Sequence, residues 1–305
     1  MIRVRPFSWR DIPALHAFRN QTLFMDHALL LTRGSFQVLG AMLSTVAPHG
    51  KLFTAVAEHE THPRLSLIGQ VMVRSNAPSA HLTFLSPRRL IRSEFVEPLM
   101  AFLAPQVAAK HATRILAEAN PGSDEAHILR RCGFVPYGVQ RIWRLPAALP
   151  PYNPEGAAWR MAQPGDNDAI QRLYRRMAPP LVQQVSAVLP DITSGLVLRS
   201  DERVLGYVGL RYGLSGVVAQ PLLQPELSAM TVENLFAALG SMPFLRDRPL
   251  YTCVTADQEW IETLLLDIGA QAGETYSLLV KPLTTPPLRS MAHHKTVKTP
   301  GLLAL

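Results

Sequence analysis

The chain has 305 residues, 48% of them hydrophobic and 17% charged, with a formal net charge of +7 at pH 7. This composition excludes a disordered chain and leaves room for two ordinary domains, each able to bury a core. Apolar runs such as 38–43 end well short of the roughly 20 residues that cross a bilayer, so no membrane partner is expected.

The positive charge belongs to one part of the chain. Residues 1–150 contain 17 Lys and Arg against 9 Asp and Glu, whereas residues 151–305 contain 13 against 14. An excess of this kind favours an anionic partner such as a polyphosphate cofactor or an acidic substrate. Nucleic acid is not expected, because basic and aromatic residues do not interleave and no zinc or helix-turn-helix spacing occurs.

Cysteine usage and the amino terminus indicate the compartment. Only Cys132 and Cys253 are present, too few for a disulfide framework or a multi-cysteine metal site. Residues 1–6 pass directly into a strand pattern without an apolar signal region. We therefore expect a cytoplasmic location and no metal.

The chain repeats itself. Residues 5–15, which run from Arg5 through Asp11, align without a gap on residues 160–170, which run from Arg160 through Asp166. Each copy reads as a short strand, a turn with an acidic residue and a helix. Two similar modules are therefore predicted.

Periodicity and turn residues predict the elements of the first module in chain order. The predicted strands lie at residues 2–7, 51–58, 67–73, 81–85, 114–119 and 140–145. The predicted helices lie at residues 11–20, 35–43, 93–110 and 123–132, the last of them ending at Gly133. The first module is accordingly assigned to residues 1–145.

A proline-rich linker follows at residues 146–157, because its composition suits neither a helix nor a sheet. The second module, residues 158–283, repeats the order of elements. Its predicted strands lie at 204–210, 216–223, 250–255 and 275–280, and its predicted helices at 228–239 and 257–268. Residues 284–305 lack apolar periodicity and are predicted to be a disordered tail, in which His293 and His294 are solvated.

The order of elements and the ending Ile128-Leu-Arg-Arg-Cys-Gly133-Phe134 resemble the GCN5-related N-acetyltransferase (GNAT) family. The closing helix of that family commonly ends in a Gly-Phe pair, and the second module shows the same shape up to Gly269-Ala270. The resemblance implies an α/β fold with a mixed sheet, in two tandem GNAT-like domains.

The resemblance also implies acetyl-coenzyme A as co-substrate. It would lie against the central strand at Phe84 and Leu85, with its pyrophosphate at the start of the next helix, near Ser93. The family's turn there carries glycines, but here the turn is Pro87-Arg-Arg-Leu-Ile-Arg-Ser93. Three arginines, Arg88, Arg89 and Arg92, are predicted to bind the phosphates through charge-assisted hydrogen bonds instead. The alternative is a solvated turn that caps the helix.

The matching turn of the second module contains Pro225-Glu226. A carboxylate repels a pyrophosphate, so any coenzyme site is expected in the first module alone. The second module then serves as a scaffold or faces the substrate.

The family transfers an acyl group to an amine, with a base on the amine and commonly a Tyr as the acid for the thiolate. Leu129 and Leu265 stand where that Tyr is usual. His81 and Glu118 are the candidate bases, since each is expected near the opening of the central strand. The alternative, which is the more common case, is that each is an ordinary residue at a strand end.

Two classes of function remain. One is an N-acetyltransferase acting on a small-molecule or peptide amine. The other is a non-catalytic protein of the same fold that binds a ligand or a partner. The missing glycines and Tyr favour the second class, whereas the basic turn and the intact order of strands favour the first.

Overall fold

The computed structural model describes residues 1–34, 51–74, 77–151, 158–186, 194–200, 203–242 and 248–283. The predicted helix at 35–43 and the predicted tail at 284–305 lie outside these ranges. Residues 152–157 of the predicted linker lie outside them as well.

Both halves of the chain contain strands and helices, and they are named here the first half (residues 1–145) and the second half (residues 158–283). The strands are β1 Ile2–Pro6, β2 Leu23–Phe24, β3 Leu52–His59, β4 His62–Val73, β5 Ser79–Ser86, β6 Arg114–Ala119, β7 Val135–Arg144, β8 Trp159–Met161, β9 Gly195–Ser200, β10 Arg203–Tyr212, β11 Val217–Leu223, β12 Leu250–Thr255 and β13 Gln271–Pro282. The α-helices are α1 Ile12–Ala17, α2 His27–Arg33, α3 Ser93–Ala108, α4 Asp124–Arg131, α5 Asn167–Met177, α6 Pro180–Val185, α7 Ala229–Gly240 and α8 Ile261–Asp267.

The sequence repeat is a structural repeat with a definite physical basis. Arg5 donates two hydrogen bonds to the carboxylate of Asp11, of 2.8 and 2.7 Å. Arg160 does the same to Asp166, at 2.8 Å for both bonds. In each half the carboxylate also accepts the backbone N–H three residues before it, so it ties the end of the first strand to the start of the first helix.

The ends of the two closing helices are equally alike. Gly133 and Gly269 have φ angles of 86° and 79°, a left-handed conformation that glycine adopts without steric cost. The next N–H in each half, of Phe134 or Ala270, donates to the carbonyl five residues back. Both helices therefore end in the same Schellman motif.

The described strands form one sheet of 13 strands that continues through both halves, in the order β1-β3-β4-β5-β6-β13-β7-β12-β11-β10-β9-β8, with β2 beside β5. The last strand of each half pairs with the other half. β13 lies antiparallel between β6 and β7, and β7 lies antiparallel beside β12. Sheet pairing thus crosses the boundary drawn from the sequence.

The cores show the same exchange. The main core of the first half packs under α3 and includes Leu279, which comes from β13. The main core of the second half includes Trp143 and Leu145 from the end of the first half. Each half therefore completes its apolar core with a strand or strand end from the other.

Most predicted elements are confirmed with shifted ends. The strands at 114–119 and 250–255 have the predicted bounds, whereas the predicted helix at 11–20 is shorter, because α1 ends at Ala17. Four elements were not predicted: β2, α2, α6 and β9. Among the described residues, no helix is long and apolar enough to cross a membrane.

Candidate functional site

The sheet forks between β5 and β6. These parallel strands pair from Ser79 opposite Arg114 to His81 opposite Leu116. Their pairing ends there, although β5 continues to Ser86 and β6 to Ala119. Opposite the opening, the register of β4 against β5 shifts between Gln70 and Val71, and such a shift bends the strand away from its neighbour.

The fork of the first half is filled by residues 23–25 of the same chain, which we call the strap. Leu23 and Phe24 form β2 and pair with Leu85 and Phe84. The Met25 N–H donates to the Thr83 carbonyl at 2.9 Å.

The strap reaches the opposite strand as well. The Glu118 N–H on β6 donates to the Met25 carbonyl at 2.9 Å, and the Met25 side chain is 1% exposed. Phe84 and Leu85 are fully buried, and their fork-facing edge is paired with the strap. The edge of Phe84 and Leu85 that was expected to face a coenzyme is therefore paired with an extended segment of the chain itself.

The fork of the second half is closed differently. β11 and β12 pair only as far as Ala219 opposite Thr252. The Gln258 carboxamide, which is 1% exposed, accepts the Leu223 N–H at 2.8 Å and donates to the Leu223 carbonyl at 3.1 Å. One side-chain amide thus satisfies both backbone groups at the end of β11.

The three arginines predicted to bind phosphate do come together. Arg88, Arg89 and Arg92 line an open depression of about 890 Å³, the basic pocket, in which His127 and Arg131 also lie. Ser93 is the first residue of α3. Two of the arginines already have partners: Arg88 donates to Glu125 at 2.8 Å, and the Arg89 guanidinium lies 5.9 Å from the centre of the Phe18 ring.

A cavity of about 390 Å³ lies between the two halves, and we call it the inter-half cavity. Side chains from both halves line it, contributed by β5, β6, β7, β10, β11, β12, β13 and the helices α2, α5 and α6. The two helices α2 and α6 also bind the opposite half: Thr32 accepts the Ser215 N–H at 2.9 Å, and Arg114 donates to the Val185 carbonyl at 2.8 Å.

One edge of the cavity carries a buried ionic cluster. Asp26, 1% exposed, caps α2 by accepting the Leu29 N–H at 3.0 Å. It also accepts from Arg74 at 2.8 Å, and its Oδ2 lies 3.3 Å from His81 Nδ1. Burial raises the pKa of Asp26, but the hydrogen bond from His81 and the charges of Arg74 and Arg211 together lower it by more, so the net shift is downward. Asp26 is thus ionised.

His81 itself is poorly suited to hold a proton. Burial lowers its pKa, and the charges of Arg74 and Arg211 oppose the favourable effect of Asp26. The imidazole is therefore neutral at neutral pH and orients toward Asp26.

Glu118, the second predicted base, is bound to its own partner. Its Oε2 accepts the His27 N–H at 2.9 Å and lies 2.7 Å from His27 Nδ1. The His27 ring stacks on Tyr276, with 3.7 Å between the ring centres. His81 and Glu118 therefore line one cavity, as expected from their strand positions. The His81 ring is already hydrogen-bonded to Asp26, and the Glu118 carboxylate is hydrogen-bonded to His27.

The sequence analysis missed several residues of this site: Asp26, His27, Arg74, Gln140 and Arg211. Asp26 had a readable signal, because an Asp shortly before the apolar run 28–31 is a helix N-cap pattern. Arg74, Gln140 and Arg211 lie on or beside strands that are far apart in sequence, and only the exchanged sheet brings them together.

Two further ionisable groups in the cavity wall have raised pKa values and keep their protons at neutral pH. Burial raises the pKa of Cys253 to about 12, so its thiol stays protonated and is a poor nucleophile. Burial also raises the pKa of Tyr137, and the charge of Glu118 adds to the effect. Among the described residues, no group of three or more His, Cys, Asp or Glu could hold a metal ion.

No protein-family model matches the sequence, and no curated protein matches it either. Solved structures do match the fold. A GCN5-related N-acetyltransferase from Sphaerobacter thermophilus superposes with a TM-score of 0.53 at 12% identity, over 92% of this chain and 96% of that one.

Two other solved structures agree. A tandem GNAT protein from the clavulanic acid biosynthesis pathway has a TM-score of 0.51 at 13% identity, over 93% of this chain and 99% of that one. A putative acetyltransferase from Pyrococcus horikoshii has a TM-score of 0.51 at 13% identity, over 93% and 90% of the chains. The chain therefore has the tandem GNAT fold.

Proposed function

We propose that this chain binds a small ligand in the inter-half cavity and does not load acetyl-coenzyme A into the fork of its first half. The strap carries this proposal. It uses the strand edge of Phe84 and Leu85 and the N–H of Glu118, which are the groups that an extended coenzyme arm would need.

Displacing the strap has a cost. Exposing the Met25 side chain costs about 2 kcal/mol of apolar transfer, and each backbone hydrogen bond that is lost without replacement adds about 1 kcal/mol. A coenzyme would have to offset these terms before it showed any affinity, and each 1.4 kcal/mol weakens binding tenfold. The inter-half cavity, by contrast, is open in the same structure.

A second candidate is acetyl transfer from acetyl-coenzyme A to a small-molecule or peptide amine. The basic pocket favours it, because arginines and a histidine gather where the fold's pyrophosphate turn lies. In that case the amine attacks the thioester carbonyl, the coenzyme leaves as the thiolate, and Glu118 or His81 accepts the proton from the amine.

One experiment separates the two candidates: hydrogen exchange of the Met25 and Glu118 amides, with and without millimolar acetyl-coenzyme A. Both N–H groups are hydrogen-bonded through the strap, so we expect both to stay protected, with no heat of binding in a parallel titration. Loss of protection at both amides, with binding and release of free thiol in the presence of amines, would establish acetyl transfer instead. Arg88→Ala with Arg92→Ala then removes that binding.

Ligand binding in the cavity needs its own test. Gly138 lines the cavity, and a Cβ added there would face Leu278 and Val182 of the same wall at 3.4 and 3.9 Å, so the variant Gly138→Trp places a ring in the space. In a thermal-shift screen of small fragments, we expect compounds that stabilise the wild type but not Gly138→Trp. A screen without a single compound that Gly138→Trp excludes contradicts the proposal.

A further inference from the structure

The inter-half cavity has an uneven supply of hydrogen-bonding groups. Its acids already have partners: Asp26 binds Leu29 and Arg74, and Glu118 binds the His27 N–H and ring. Asp257 lies at the exposed rim. A ligand cation would therefore compete with existing donors for every buried carboxylate.

Donors, in contrast, are left over. Gln140 is 5% exposed and lines the cavity, and its Nε2 has no hydrogen-bond partner among the residues that the structure describes. The Nε of Arg74 is likewise buried without a partner within that part of the chain. Buried donors without acceptors are costly, so they mark places where an acceptor is missing.

Arg211 supplies the charge. Its side chain lines the cavity, and it takes part in none of the ion pairs found among the described residues. Arg74 is neutralised by Asp26 at 2.8 Å, so among the described residues of the cavity wall Arg211 is the arginine that forms no ion pair. A guanidinium presents a planar fork that fits a carboxylate with two parallel hydrogen bonds.

Most of the remaining wall is apolar. Leu116, Val139, Val182, Val185, Val218 and Leu278 line the cavity together. Its volume of about 390 Å³ falls at the lower end of ligand pockets. Such walls favour a compact hydrocarbon or aromatic body, with polar groups confined to the end that meets the donors.

We infer that the ligand of the inter-half cavity is a small organic acid with an apolar body, whose carboxylate binds Arg211 and Gln140. This inference rests on the proposed function and names the ligand class for the same site. The arrangement is built by both halves: Gln140 comes from β7 and Arg211 from β10.

Matched probes test the ligand class. Hexanoate and benzoate carry the carboxylate, hexanamide and benzamide replace it with a neutral amide, and hexylamine and benzylamine replace it with a cation. In thermal shift and calorimetric titration of the full chain, we expect a carboxylate to bind about tenfold or more tightly than its amide. The amines should give no shift that Gly138→Trp abolishes.

Variants test the residues. Arg211→Met should weaken carboxylate binding about tenfold or more, whereas Arg203→Met, an exposed arginine on the same strand, should leave it unchanged. If Arg211→Met fails to fold, Gln140→Met decides, since it keeps the shape of the side chain and removes the donor.

The outcomes are separable. Equal binding of amides or amines, or equal affinity in Arg211→Met and Arg203→Met, overturns the carboxylate inference. Failure of all six probes on the wild type overturns it too. The fragment screen with Gly138→Trp still decides the proposed function, because it does not depend on the chemistry of the ligand.

Discussion

At the residue scale, the repeated arginine and aspartate are the best example of a sequence pattern with a readable physical cause. Asp166 is 1% exposed and accepts from Arg160 and from the Gln163 N–H. It also accepts from Arg199 at 3.0 Å. In the first copy, Glu58 is an additional partner of Arg5. Both copies therefore contain the Arg–Asp pair, but the third charged residue is Glu58 in one and Arg199 in the other.

The charge of Asp166 should appear in the pH dependence of stability. The hydrogen bond from Arg160 lowers its pKa from 3.8 to about 2, against the opposing effect of burial. A carboxylate with a lowered pKa in the folded state stabilises the protein above its unfolded pKa and loses that effect as the pH falls. We expect Asp166→Asn to lower the free energy of unfolding by about 2 kcal/mol at neutral pH.

Urea unfolding measured at several pH values checks this prediction. The deficit of Asp166→Asn against the wild type should shrink between about pH 4 and pH 2. Asp168→Asn, an exposed acid at the start of the same helix, is the control and should stay close to the wild type. A deficit that is constant over the whole range contradicts the assigned pKa.

At the element scale, the strap pairs with the strand edge at which the sequence predicted a coenzyme. β2 has only two residues, too few for any periodicity to reveal a strand. Its pairing is decided by the fork, which leaves backbone groups of β5 and β6 without partners and buries them together with Met25. An open strand edge in a buried place must find a partner.

The strap should also contribute strongly to stability. Met25 is 1% exposed and packs in the main core of the first half, so Met25→Ala should cost about 3 kcal/mol. Met230→Ala is the matched control, because Met230 is 43% exposed. Chemical denaturation of both variants gives the comparison, and equal loss in the two would show that the strap is not packed as described.

At the scale of the whole molecule, the exchanged strands make the halves interdependent. β13 lies between β6 and β7, and fully buried Leu279 from β13 belongs to the core of the first half. Composition and repeats predicted two modules that could each bury a core, and they contain no information about which half receives the last strand. That pairing joins residues that lie roughly half the chain length apart.

Separate expression of residues 1–151 and 158–283 tests this interdependence. We expect neither piece alone to unfold cooperatively, because the first lacks β13 beside β6 and the second lacks β7 beside β12. Thermal unfolding followed by circular dichroism is the measurement. The intact chain should give one transition, and two pieces that each unfold cooperatively as monomers would contradict the prediction.

The sequence by itself determined the repeated scaffold: the Arg and Asp of each opening turn, the glycines that end the closing helices, most of the strands, and the arginines of the basic pocket. These features depend on local backbone preferences and on contacts close in sequence, which a pattern can record. It also placed His81 and Glu118 near one opening, because both positions lie on adjacent parallel strands.

Only the tertiary structure decided how those parts are used. The strap, the hydrogen bonds from Gln258 to the backbone of Leu223, and the exchange of β7 and β13 depend on which backbone groups remain unpaired once the sheet has formed. Gln140 and Arg211 meet in one cavity because the exchange places β7 against the second half. Hydrogen-bond satisfaction and burial are properties of the assembled sheet, so the cavity and its donors could not be read from either repeat alone.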